Sequence, residues 1–224
     1  MTQTDPNDIA TLDIQIVSDV VCPWCVIGSR HLLLALEDLS DEVRADITWL
    51  PFQLNPHVSV EGENLSEHIM RKYGSSPEDN QAMRDRLTDL GRAAGFQFNF
   101  TPDSRTYNSF DAHRAIHWAG VRGRQHDFVE QLFHAYFTEN RNPSALKTLT
   151  DAAATLGLDT ADLEAVITSD RYRPEVEQAL AASQAKGISG VPTFIINHQY
   201  ALTGGQPVDV FKRALRQVAA GIRV

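Results

Sequence analysis

The chain has 224 residues, 42% of them hydrophobic and 22% charged, enough for a full core in one domain or in one domain with a large insertion. Twenty Lys and Arg against 29 Asp and Glu give a net charge of −9, which opposes extended attraction to nucleic-acid phosphates or anionic lipid. No apolar run reaches membrane-spanning length. The polar, acidic start Met1–Ala10 lacks the basic end and apolar centre of a secretory signal, so the expected location is cytoplasmic.

Residues 1–10 read as a flexible leader. Alternation through Leu12-Asp13-Ile14-Gln15-Ile16-Val17 predicts a first strand. Val26–Leu39, with Leu32, Leu33, Leu36 and Leu39 at helical spacing, predicts a first helix. Asp46–Leu54 reads as a second strand, ended by Asn55-Pro56. From Leu65 to Lys186 the period is helical. Helices are expected at Leu65–Tyr73, Pro77–Ala94, Ser109–Val121, Asp127–Glu139, Ser144–Leu156, Ala161–Ser169 and Pro174–Lys186. Ser76 before Pro77, with Glu78 and Asp79 in the first turn, is a start signal, and Gly95, Gly157 and Gly187 stand where helices stop. Phe96-Gln97-Phe98-Asn99-Phe100 suggests an extended segment packed against these helices. Thr193–Asn197 and Tyr200–Leu202, flanking Asn197-His198, predict a hairpin, and Gly204-Gly205-Gln206-Pro207 turns the chain into a last helix, Val208–Ala219.

The chain's only two cysteines stand in Cys22-Pro23-Trp24-Cys25, between the first strand and the first helix. A thiol at a helix N-terminus meets unpaired backbone N–H groups and the positive end of the dipole, which favour a thiolate at Cys22. Cys25, three residues on, is within reach for a reversible disulfide. A structural zinc site would need four ligands; there is no second cysteine pair, and His31 lies too far along the helix. A structural disulfide would close a very short loop and contribute little chain-entropy stabilisation. Redox chemistry is the reading that remains.

A second motif is Gly187-Ile188-Ser189-Gly190-Val191-Pro192-Thr193-Phe194. Alone, Val191-Pro192 says little, since most X–Pro bonds are trans and proline commonly opens strands. Together with the CxxC, the pattern resembles the thioredoxin superfamily and, within it, the FrnE-like branch of the DsbA family. The matching pieces run in order along the chain: Ser18 to Gly28, Pro51 to Pro56, Lys72-Tyr73-Gly74, Ala112-His113-Arg114, Leu132 to Phe137, Gly187 to Phe194 and Gly204 to Pro207.

This resemblance implies an α/β, thioredoxin-like fold (11–60 and 187–224) carrying a large all-helical insertion (61–186), without the outer strand and helix that open a full thioredoxin domain. It implies Cys22 as the attacking thiol, Cys25 as the resolving thiol and Pro192 as a cis-proline beside them. The backbone of Val191 would pair with an extended substrate or glutathione, and Trp24 and Phe52 would form an apolar rim. No bound cofactor is implied beyond the redox-active disulfide; glutathione enters as a co-substrate, and the partners are disulfide- or thiol-bearing proteins or small molecules. The same branch holds glutathione-dependent isomerases and transferases of the 2-hydroxychromene-2-carboxylate isomerase and kappa class. Those typically carry serines where this chain has cysteines, a departure that favours protein disulfide reductase or isomerase chemistry. A chaperone-like module clasping unfolded chains with its helices is a further alternative.

Other residues are assigned blander roles. His113 and His117 share a helix face but lack the glutamate of a zinc-protease motif, so packing is expected and no metal. His57 reads as a loop histidine, and Asp19 as a buried proton acceptor or a solvated turn or cap. Phe128, Leu132, Phe133, Tyr136 and Phe137 read as the insertion's core.

Overall fold

The computed structural model describes residues 9–221. Residues 1–8 of the expected leader lie outside that range, and β1 (Ala10–Ser18) already begins at the leader's last residue. α1 (Pro23–Asp38) crosses to β2 (Val43–Pro51), which runs parallel to β1, pairing Ala10 with Val43 through Ser18 with Pro51. The second strand thus starts three residues before the expected Asp46 and stops before Leu54. It ends because residues 52–54 turn inward: Phe52 N–H donates to the Ser18 carbonyl (2.9 Å) and Leu54 N–H to the Asp19 carboxylate (2.7 Å).

The helical block follows. β3 (Glu63–Asn64) leads into α2 (Leu65–Tyr73), capped by the Asn64 side chain, which accepts from Ser66 and Glu67 N–H, and closed at Gly74 in the left-handed region (φ 67°). α3 (Pro77–Ala93) opens on a capping box between Ser76 and Asp79. β4 (Arg105–Thr106) pairs antiparallel with β3, a two-residue ladder too short to leave a period in the sequence. α4 (Phe110–Gly120) and α5 (Gln125–Phe133) come next. The expected continuous helix to Glu139 instead becomes a π-helical turn at His134–Thr138. α6 (Leu146–Thr155), α7 (Thr160–Ile167) and α8 (Arg173–Ala185) complete the block.

The chain then returns to the sheet as the hairpin β5 (Thr193–Ile196) and β6 (Tyr200–Thr203), followed by α9 (Val208–Ala219). The sheet order is β2-β1-β5-β6, with β5 antiparallel to both neighbours. Leu12, Ile14 and Ile16 alternate inward from β1 and pack with Leu32, Phe194 and Phe211; the last two rings meet edge to face at 4.8 Å. Trp118, Phe128, Leu132 and Phe133 fill the helical block and join the same buried cluster. Each such side chain, fully buried, contributes about 1.5–3 kcal/mol before entropy is subtracted. Trp49 of β2 ties the halves by packing against Phe133 (5.9 Å). The Gln125 carboxamide pairs with both the Trp49 N–H (2.9 Å) and carbonyl (3.0 Å), satisfying part of the sheet's outer edge. Phe96, Phe98 and Phe100 run as an extended segment whose rings each meet Phe137 edge to face.

Candidate active site

Cys22 is the N-cap residue of α1 and Pro23 occupies the first helical turn, where a missing N–H costs nothing. Its side chain makes no cap hydrogen bond, so the thiol is left to face the loop before β5. There the Val191–Pro192 peptide bond is cis, and the Cys22 Sγ–H donates to the Val191 carbonyl at 3.6 Å. Cys25 lies one turn inside, its N–H bonded to the Cys22 carbonyl (3.1 Å). Both cysteines are thiols in this structure. Cys22 is 3% exposed and Cys25 fully buried, yet their surroundings differ: Cys22 lines a cavity and Cys25 does not.

That cavity, about 390 Å³, lies between α1 and the helices α2 and α3. Trp24 and Val191 flank Cys22; Leu54, Tyr73, Met83 and Phe137 supply apolar wall, and Lys72 and Arg84 supply positive charge. Phe52, expected on the rim, does not line it: its main chain is engaged by Ser18 and by His113 Nε2–H, which donates to the Phe52 carbonyl at 2.8 Å, and Leu54 lines the cavity in its stead. Lys72 Nζ donates to the Leu54 carbonyl and Asn55 Oδ1, both at 2.8 Å. Burial pulls the Lys72 ammonium below its usual range, opposed by the charge of Asp19. Burial first, then the neighbouring Cys22, pushes the Tyr73 phenol up. The Arg86 guanidinium lies 5.6 Å from the Trp24 ring centroid. The π-helical turn lets the consecutive residues Tyr136 and Phe137 both line the cavity while remaining buried, so they serve as wall as well as core.

The Cys25 thiol is held well above its ordinary pKa, chiefly by burial and then by hydrogen bonding to and charge on Cys22; the Ser18 hydroxyl and the Asp19 backbone oppose this. Asp19 is wholly buried, not solvated. Its carboxylate accepts from Leu54 N–H and Val21 N–H (3.4 Å) and lies 3.6 Å from His113 Nε2. His117 packs against Tyr172 (4.8 Å between rings) and, like His113, lines a separate cavity walled by β2, α4, α5 and α8, and His57 is exposed away from the cavity that holds Cys22. His31 Nδ1 lies 2.8 Å from the Gln206 carbonyl, bracing the Gly204–Pro207 turn against α1. No cluster of three metal-binding side chains occurs among the described residues. None of the described helices is long and apolar enough to cross a membrane.

Met83 and Arg84 carried no signal in the sequence; Ser18, Lys72 and Tyr73 stood only within matching segments whose chemistry was not apparent, and His113 read as a packing residue.

The Bacillus subtilis (strain 168) protein YwbO is 27% identical over 206 residues, covering 92% of this chain and 96% of that protein. The crystal structure of a probable DsbA oxidoreductase from Streptomyces coelicolor superposes with a TM-score of 0.86 at 29% identity, over 95% of this chain and 92% of that one. The cytosolic disulfide reductase DsbM from Pseudomonas aeruginosa, solved with glutathione, shares the fold (TM-score 0.64, 16% identity, 93% and 98% coverage). The DSBA-like thioredoxin domain matches residues 13–216, nearly the whole chain, including the strand, the CxxC helix and the Pro192 loop, and the protein belongs to that family.

Proposed function

We propose that this protein is a thiol–disulfide oxidoreductase of the FrnE-like branch, cycling Cys22 and Cys25 between dithiol and disulfide. The observation that carries this reading is the asymmetry of the pair: Cys22 opens into a cavity at the start of α1, and Cys25 is sealed behind it. In the reducing direction the Cys22 thiolate, favoured by the helix amides, attacks one sulfur of a substrate disulfide. A mixed disulfide forms and the other substrate sulfur leaves as a thiolate. Cys25 then attacks the Cys22 sulfur, closes the internal disulfide and releases the second substrate thiolate; the oxidising direction is the reverse.

Pro192 shapes the loop against the thiols, and Trp24 and Val191 form the contact surface for the substrate. The cavity's 390 Å³ falls within the range of small-molecule sites, so glutathione as co-substrate or one extended protein segment fits better than a folded surface. The dithiol itself is the only redox group required. We place the cycle in the cytosol, where a lone cysteine pair is more often catalytic than structural. Insulin reduction tests the reading against a glutathione-dependent isomerase or a chaperone-like module: turnover by the wild type and its loss in Cys22→Ser are expected. Full turnover without Cys22 would sink it.

A further inference from the structure

The chain carries a net charge of −9, yet cations outnumber acids in the wall of the cavity that holds Cys22. Lys72 and Arg84 line it, and Asp79 is the acidic residue there. Asp79 is committed to the start of α3, where its carboxylate accepts from the Ser76 N–H (3.3 Å) and hydroxyl (2.9 Å). Lys72 is partly committed too, through the Leu54 carbonyl and Asn55 Oδ1. Arg86, two residues past Arg84, adds a second guanidinium over Trp24, itself a wall residue.

Arg84 differs from the other arginines drawn out of solvent. Arg30, Arg114 and Arg122 each pair with a carboxylate, of Glu130, Asp111 and Asp162. Arg84 has no carboxylate partner among the described residues. Its Nη2 donates to the Ser66 hydroxyl at 2.6 Å, and the guanidinium lies 5.9 Å from the Phe100 ring centroid. These contacts, one from α2 and one from the extended segment after α3, fix the group in place without neutralising its charge. They use one of the five N–H donors a guanidinium carries, and neither Nε nor Nη1 is sealed in the core. Burial pulls this guanidinium below its usual range, opposed by Tyr136. A charge partly desolvated and left without a counterion costs the folded protein free energy, and an anion entering the cavity removes that cost.

We infer that Arg84 is a specificity residue, selecting among the disulfides that reach Cys22 those with a carboxylate near the reacting sulfur. This rests on the dithiol cycle proposed above and leaves its bond-making unchanged. The planar guanidinium offers a carboxylate two parallel N–H donors while the substrate sulfur meets Cys22 in the same cavity. The carboxylate belongs either to a small thiol compound such as glutathione or to an acidic side chain beside a cysteine in an extended segment; the chemistry at Arg84 is the same. The sign of the salt effect separates this local site from the charge of the whole molecule. A net charge of −9 alone repels an anionic disulfide, so salt would speed its reaction, whereas a cation in the cavity attracts it, so salt slows it.

Two matched pairs of disulfides test the assignment. One is glutathione disulfide against its ester with every carboxylate masked; the other is a symmetric peptide disulfide with glutamates flanking the cysteine against the same peptide with glutamines. Their consumption by the reduced protein is followed by acid quenching and mass spectrometry, each rate divided by that with dithiothreitol to remove intrinsic reactivity. The wild type should favour the acidic member of at least one pair by about tenfold at low salt, and the preference should shrink as salt is added. Arg84→Gln should bring the ratio to one or below, and Arg84→Lys, which keeps the charge but loses the fork, should fall between. The ratio within a pair cancels any general loss of activity in a variant, and the salt series on the wild type needs no variant. The pair that responds identifies the source of the carboxylate. A wild-type ratio of one in both pairs, a preference that Arg84→Gln keeps, or acidic members speeded by salt overturns the assignment. A wild type that reduces none of the four disulfides overturns the dithiol cycle itself.

Discussion

Gly28 sits on α1 one turn beyond Cys25, at the point where three segments of the site converge. A Cβ there would lie 3.0 Å from Phe194 Cζ, 3.1 Å from Pro192 Cγ and 3.3 Å from Gly205 Cα. None of these neighbours is the free end of a flexible side chain: Phe194 is fully buried against Phe211, Pro192 is buried, and Gly205 presents main chain. Overpacking of this kind costs about 2–3 kcal/mol, offset by about 1 kcal/mol of helix propensity gained on replacing glycine. Gly28→Ala should therefore lose about 1–2 kcal/mol, a fall in Tm of roughly 2–8 °C for a chain of this size. Relief of the contact pushes the Pro192 loop from α1 and lengthens the 3.6 Å approach of Cys22 to Val191, so insulin reduction should fall with stability. Thermal unfolding by circular dichroism, with Gly190→Ala as the control because its Cβ would meet nothing within 4 Å, measures the effect. An unchanged or raised Tm with full turnover would refute the claim that α1 and the loop are packed to contact.

Burial of Cys25 also predicts a pH effect. Its folded-state pKa is raised, so the neutral thiol contributes stability present below the unfolded value of about 8.5 and lost as pH rises above it. Denaturant unfolding of the reduced protein between neutral and alkaline pH should show a decline of up to about 1.4 kcal/mol per pH unit that Cys25→Ala lacks. Equal slopes would contradict it. Arg114, 1% exposed, donates to the carbonyls of Val166, Ser169 and Arg171 and pairs with Asp111. Arg114→Leu strands those carbonyls and should cost about 3–5 kcal/mol in urea unfolding; a loss below 1 kcal/mol would show that the carbonyls find water instead. Asp159 caps α7 through Ala161 and Asp162 N–H, and Asp159→Ala should cost about 1 kcal/mol in the same assay without altering turnover.

The thioredoxin-like elements were legible because their signals are local. The alternation of Leu12–Val17, the CxxC before an apolar helical stripe and the glycines ahead of the last helix each specify one element. α2 has the expected limits because Asn64 caps its start and Gly74 closes it, and α9 because Pro207 opens it and its apolar residues keep helical spacing. The misplaced end of β2 depended on a distant partner: Leu54 reads as strand until Asp19, 35 residues away, captures its N–H. The π-helical turn leaves the helical period almost intact, so nothing in His134–Thr138 announced that Tyr136 and Phe137 would share a cavity. The two cysteines could be read from spacing, whereas the cavity that Cys22 lines is assembled from α2, α3 and the turn after α5, which meet only in three dimensions. Phe52 lies off the cavity for the same reason: its main chain has partners in β1 and α4, and Leu54, two residues on, supplies the wall instead.

The division of labour between the two thiols is the central claim, and trapping tests it most directly. Reduced Cys25→Ser and Cys22→Ser proteins, each exposed to a disulfide-bearing protein, can be resolved by non-reducing electrophoresis and intact mass. Cys25→Ser should accumulate a mixed disulfide through Cys22 that it cannot release, because the thiol lining the cavity still attacks and its partner is gone. Cys22→Ser should trap little, since its remaining thiol is fully buried and held protonated. Equal trapping by the two variants, or none by Cys25→Ser, would contradict the account.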